Sequence, residues 1–211
     1  MPFHFLDPFS SIDKHTHRLP HWQQGEAWQF VTWRLADSLP AGRQDALRLE
    51  RNAWLIQHPR PWSEETEHEY ISMFGDRVES WLDQGHGGCA LRHREVATIV
   101  EQAFRHFDGE RYWLGPFVIM PNHVHLLFQP AGDHSVAKIL HSWKSYTAKQ
   151  INILRRSSGP FWQEDYWDRI VRSDEQWHAY RGYIERNPKG LKEGTFVLGF
   201  GSRARPTWAD A

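Results

Sequence analysis

The chain has 211 residues, 40% hydrophobic and 24% charged, with a formal net charge of -1. These proportions describe a globular chain able to bury one core, and they exclude a disordered or fibrous protein. No apolar run approaches the roughly eighteen residues of a membrane span, and a single cysteine, Cys89, excludes an internal disulfide framework or a CxxC metal knuckle.

The first residues lack a basic stretch followed by an apolar one, so the expectation is no secretory leader and a cytoplasmic setting. Charge is unevenly spread. Residues 138–205 hold 13 Lys and Arg against 7 Asp and Glu, whereas residues 1–137 hold 12 against 18. A basic C-terminal third suits a polyanion. The counts of 12 Trp and 14 His suit base stacking and metal or phosphate contact, and equally a Trp-heavy core with exposed histidines.

Taken in chain order, residues 27–36 (AWQFVTWRLA) read as a strand, ended by Leu39-Pro40-Ala41-Gly42. A helix is expected from Arg43 to about Gln57, stopped by His58-Pro59 and Pro61. A second runs from about Ser63 to Leu82 and ends in a glycine-rich stretch. The stretch is acidic as a whole, so residues 40–90 read as an insertion between core elements. Val96, Ile99, Val100, Ala103, Phe104 and Phe107 then recur at helical spacing. Two strands follow, residues 111–120 and 123–129, joined at Pro121-Asn122. The next helix covers about 135–154, with Val136, Ile139, Leu140, Trp143, Thr147 and Ile151 on one face. Residues 161–172 (FWQEDYWDRIVR) read as a strand or extended arm. Ser173 with Gln176 forms a capping box for a last helix, closed by Asn187-Pro188.

Without the insertion, the order is strand, helix, strand, strand, helix, strand, plus a C-terminal helix. That is the ferredoxin-like βαββαβ order, an α+β fold with an antiparallel sheet and helices on one face. The chain reads as a single domain over 1–211, with an aromatic-basic arm and helix at about 161–193.

Three groups of residues carry chemistry. His123 and His125 alternate on a strand, so both imidazoles point to one face and can converge on a metal ion. HxH also marks amidohydrolase barrels, but these need roughly 250 residues, and histidine-triad hydrolases want a third histidine where Leu127 stands. On the helix of about 135–154, Tyr146, Gln150 and Lys149 gather on one edge at i, i+3 and i+4. Phe161, Trp162, Tyr166, Trp167, Arg169 and Arg172 combine aromatic faces with cations, as in single-strand nucleic-acid binders. Each group taken singly has a plainer explanation: strand histidines, a rim tyrosine, an aromatic core strand.

Together, MPNHVHLL, the helix bearing WKSYTAKQIN, GPFWQEDYWDR and YIERNP resemble the HUH single-tyrosine transposases, and more closely the REP-associated tyrosine transposases. Residues 20–22, 30–36 and 81–87 fit the same family, so the resemblance spans about 18–193. It implies a metal-dependent endonuclease and strand transferase acting on single-stranded DNA, often beside a hairpin. It implies His123 and His125 as metal ligands, Tyr146 as nucleophile, and Gln150, one turn on, as third ligand. Asn152 is the alternative third ligand, but helical phase turns it away. The expected ion is Mg²⁺ or Mn²⁺. Lys144 or Lys149 would assist the tyrosine or touch phosphate, and Trp162, Trp167, Arg169 and Arg172 would line the DNA. The resemblance fits monomers and homodimers alike. Two other readings stand beside it: a host-adopted hairpin-binding protein that mobilises nothing, and a metal-dependent hydrolase of small phosphoesters.

Overall fold

The computed structural model describes residues 3–16, 20–59 and 62–203; Pro61, read above as a helix breaker, lies outside them. The chain forms two compact units, Met1–Ala36 with Ala90–Ala211, and Asp37–Cys89. In chain order, β1 (Asp13–Thr16), β2 (Pro20–Gln23) and β3 (Gln29–Arg34) come first. Next are α1 (Ala41–Gln57), α2 (Glu64–Tyr70) and α3 (Arg77–Asp83) of the second unit. Then follow α4 (Arg94–His106), β4 (Tyr112–Ile119), β5 (His123–Pro130), α5 (Val136–Arg155), β6 (Trp167–Ile170), α6 (Asp174–Arg186) and β7 (Val197–Phe200). Among the described residues no helix is long and apolar enough to cross a membrane.

The main sheet has the order β6-β3-β5-β4-β7, with every pairing antiparallel. Leaving out β7, these are the fourth, first, third and second strands of a βαββαβ unit, so the expected ferredoxin-like order is present. β5 lies at the centre and all its residues are buried. Alternation divides its side chains. Val124, Leu126 and Phe128 join Val31 and Trp33 of β3, and Leu35 just beyond it, in a core with α4 and α5. Leu127 points to the other face, where Phe30, Val118, Trp177 and Ile184 form a second core with α6. The C-terminal helix, with Phe3 and Phe5 packed beside it, thus covers the face that the bare βαββαβ frame leaves open. Fully burying Trp177 and Ile184 contributes about 1.5–3 kcal/mol for each side chain.

β4 keeps its place despite Pro116 because its register shifts between Leu114 and Phe117. A Cβ on Gly115 there would lie 2.9 Å from the Trp28 ring and 3.0 Å from the Leu127 carbonyl oxygen, so the close approach requires glycine.

In the second unit, α2 and α3 are joined through a π-helical turn, Ile71–Asp76. Trp54 gathers the rings of Trp62, Tyr70 and Phe74 around it at 5.0, 5.1 and 6.1 Å. Leu39, Val78 and Leu82 make a small core of their own.

The arm expected over 161–172 is a strand only at Trp167–Ile170. Phe161 and Trp162 instead sink into the α4/α5 core, and a single bridge joins Trp162 to Leu35. The β1–β2 pair and β7 were not expected from the sequence.

Candidate functional site

His123 and His125 sit on β5 with ring centroids 4.6 Å apart. Each is held by a neighbour. Nδ1 of His123 donates to the Asn122 amide oxygen at 2.7 Å, and Nδ1 of His125 meets the Thr32 hydroxyl at 2.7 Å. Such contacts orient both rings, and at His123 the acceptor oxygen of Asn122 holds the proton on Nδ1 and leaves the lone pair on Nε2. Burial pushes the His125 pKa down to about 3, so its imidazole is neutral, as a metal ligand must be. Asn122 holds its position in the β4–β5 turn, where the Met120 amide donates to the His123 carbonyl at 2.9 Å.

The residue that meets this pair comes from α6. Ser173 caps the helix by accepting from the Gln176 amide, Asp174 and Glu175 occupy its first turn, and Arg186 its last. Trp177 and Ile184 anchor its buried face, and Tyr180 stacks on Phe30 at 4.3 Å. That phase directs Tyr183 inward. Its hydroxyl lies 3.5 Å from Nε2 of His125, and the rings meet edge to face at 5.1 Å. One turn later stands Asn187, whose backbone amide closes the helix onto the Tyr183 carbonyl at 2.9 Å. Its side-chain Oδ1 is buried and has no hydrogen-bond partner among the described residues. A buried amide oxygen without a donor suits a cation. Two imidazoles and one amide oxygen would make a mixed nitrogen and oxygen set that suits Mn²⁺, or Mg²⁺ retaining waters.

The residues expected on the helix of about 135–154 are elsewhere. α5 packs its Ile139, Leu140, Trp143 and Ile151 on the sheet face opposite the histidines. Tyr146, on that helix, is 53% exposed, and neither it nor Gln150 is brought to His123 and His125. Asn152 is occupied at the helix end, donating to the Gly159 carbonyl at 3.0 Å and accepting from the Ser157 hydroxyl at 3.0 Å. Lys149 is exposed on α5. Lys144 donates to the Glu164 carbonyl at 2.6 Å, and burial lowers its pKa to about 8. It fastens the arm. Trp162 is a core residue, 6% exposed, whose indole donates to the Thr147 hydroxyl at 2.8 Å. Trp167 and Arg169 pair with Thr32 and Phe30, which puts them on the histidine face at the β6 edge. Arg172 is exposed where the chain enters α6. The signal for Tyr183 and Asn187 lay in Tyr183-Ile184-Glu185-Arg186-Asn187, which repeats the i, i+4 spacing used for Tyr146 and Gln150.

The β6 side of the sheet is tied to β2 by a buried charge cluster. His21 meets Asp168 at 2.7 Å and Asp165 at 3.0 Å, and stacks on Tyr166 at 3.9 Å. Burial opposes the charge on His21, but hydrogen bonds and attraction from the two carboxylates outweigh it and raise the pKa to about 9. Burial lifts the Asp168 carboxyl above its usual range, and the hydrogen bond and charge of His21 pull it part of the way back.

The solved structures that resemble the chain include these two. One is a REP-associated tyrosine transposase bound to a REP hairpin, at 12% identity and a TM-score of 0.42, covering 82% of this chain and 73% of that one. The other is a transposase candidate from Deinococcus radiodurans R1, at 14% identity and a TM-score of 0.35, covering 75% and 88%. No curated protein matches the chain in sequence. The model of the IS200-like transposases matches residues 92–187, a stretch that contains both histidines, Tyr183 and Asn187. Over that stretch, from the start of α4 to the end of α6, the chain is similar to the IS200-like transposases.

Proposed function

We propose that this protein is a metal-dependent endonuclease and strand transferase for single-stranded DNA, with Tyr183 as its nucleophile. The observation that carries the reading is the 3.5 Å approach of the Tyr183 hydroxyl to Nε2 of His125. Tyr146 and Gln150 give way to Tyr183 and Asn187, because only the α6 pair shares a sheet face with the histidines.

His123, His125 and Asn187 would hold a divalent ion. When bound, the ion supplies Lewis acidity at the scissile phosphate. A free phenol is mostly protonated near neutrality, so Tyr183 loses its proton as it attacks phosphorus. The bond from phosphorus to the 3′ oxygen breaks, that oxygen takes up a proton, and the 5′ phosphate remains on Tyr183 as a phosphodiester. The ester bond is conserved in this exchange. A second 3′ hydroxyl can therefore reverse it and join a new strand without ATP. Thr32 and Asn122 keep the imidazoles oriented throughout, and Trp167 and Arg169 at the β6 edge offer a stacking face and a cation for the strand. The expected target is single-stranded DNA beside a hairpin, the substrate implied by the sequence motifs.

Incubation with Mn²⁺ and hairpin-flanking DNA from its own locus, run on a denaturing gel, tests the reading. A nicked product and a protein–DNA adduct are expected. Nicking with no adduct would reject covalent catalysis, and binding with neither would leave a hairpin-binding protein.

A further inference from the structure

Arg34 ends β3 and pairs in register with His123. Directly opposed residues of antiparallel strands project to the same face, with Cβ atoms about 5 Å apart. Alternation along β3 agrees. Thr32 touches His125, while Val31, Trp33 and Leu35 point into the α4/α5 core. The Arg34 side chain therefore leaves the sheet beside His123. It is half-buried, with Nη1 donating to the Leu35 carbonyl at 3.4 Å, and burial lowers its pKa to about 10, so it stays charged across the neutral range.

Of the groups assigned to the reaction, the His125 imidazole is neutral, and the Thr32 hydroxyl and the amides of Asn122 and Asn187 carry no charge to offer a phosphate. A phosphodiester arriving at Tyr183 brings a negative charge, and more charge gathers on its oxygens as a fifth bond forms. A guanidinium matches two phosphate oxygens with its planar fork, and it is most effective where water is scarce.

We propose that Arg34 is a catalytic residue that binds a nonbridging oxygen of the scissile phosphate and holds the phosphorus in line with the Tyr183 hydroxyl. This rests on the nuclease reading given above. The charge-compensating role assigned from sequence to Lys144 or Lys149 passes to Arg34, since Lys144 is fixed to the Glu164 carbonyl and Lys149 lies on α5.

The experiment first maps the nick made by the wild-type protein with Mn²⁺ in DNA from its own locus. A single methylphosphonate, which is uncharged, is then placed at the mapped position. Binding of both DNAs is measured in EDTA with Tyr183→Phe and with Tyr183→Phe carrying Arg34→Ala. The expected result is a loss of about tenfold from Arg34→Ala on ordinary DNA, and no further loss on the methylphosphonate. With Tyr183 intact, Arg34→Ala should slow adduct formation about 10²–10³-fold, and Arg34→Lys should recover part of it. If Arg34→Ala does not fold, Arg34→Gln gives the same comparison. Equal losses on both DNAs, or no loss on either, overturn the role of Arg34 while leaving the nick in place. Absence of any nick defeats the nuclease reading and takes this proposal with it.

Discussion

The Tyr183 hydroxyl stands 3.5 Å from Nε2 of His125, on the sheet face opposite the one covered by α5. Tyr183→Phe is therefore expected to abolish nicking and adduct formation while binding of the same DNA stays within a few-fold, because one oxygen is lost. Tyr146→Phe, at an exposed position, should change either by no more than about twofold. An adduct that persists in Tyr183→Phe and vanishes in Tyr146→Phe would restore the α5 tyrosine.

Metal affinity separates the two amides in the same way. Asn187→Ala should raise the Mn²⁺ concentration for half-maximal adduct formation and weaken Mn²⁺ binding by calorimetry, while Gln150→Ala leaves both unchanged. Thr32→Val removes the oxygen facing Nδ1 of His125 and should weaken Mn²⁺ by about 10–100-fold.

Two tryptophans of one arm should behave oppositely. Trp162 is buried in the core and hydrogen-bonded to Thr147, so Trp162→Ala should cost about 3–5 kcal/mol of stability. Trp167 lies on the histidine face opposite Thr32. Trp167→Ala should weaken single-strand binding by about 1–3 kcal/mol and move the melting temperature little. Salt titration and thermal melting of both variants read the difference.

His21 predicts a pH dependence of stability. Its pKa rises from 6.5 to about 9 on folding, so the stabilisation is complete below about 6.5 and is lost as pH climbs through about 9. Melting temperatures between pH 6 and 10 should fall at the alkaline end. In His21→Gln that slope should flatten, and the whole curve should sit lower, because two buried carboxylates lose their counter-charge.

The frame of the fold was legible because its signals are local. The helical spacing of Val96, Val100, Ala103 and Phe104, the alternation through His123, Val124 and His125, and the Ser173–Gln176 cap each operate within a few residues. Which tyrosine shares a sheet face with the histidines was not legible in that way. Tyr146 and Tyr183 each sit on a helix with an amide four residues on, and only the side of the sheet on which each helix packs distinguishes them. That side is decided by distant partners: Trp143 and Ile151 for α5, Phe30 and Leu127 for α6. Trp162 and Trp167 pose the same difficulty, since both look like stacking residues until the sheet register assigns their faces.

The two ends of the insertion are fastened to adjacent residues of one turn. The Leu35 amide donates to the Asn122 carbonyl at 2.9 Å, and the Leu91 amide donates to the Pro121 carbonyl at 3.1 Å. The chain thus departs and returns through neighbouring anchor points just ahead of His123, and the backbone there is clamped whatever is strung between them. Loop-closure cost changes by only about 0.6 kcal/mol for each halving of length. The Asp37–Cys89 stretch can therefore behave as an interchangeable module, lengthened, shortened or replaced in evolution without the histidine turn being redrawn.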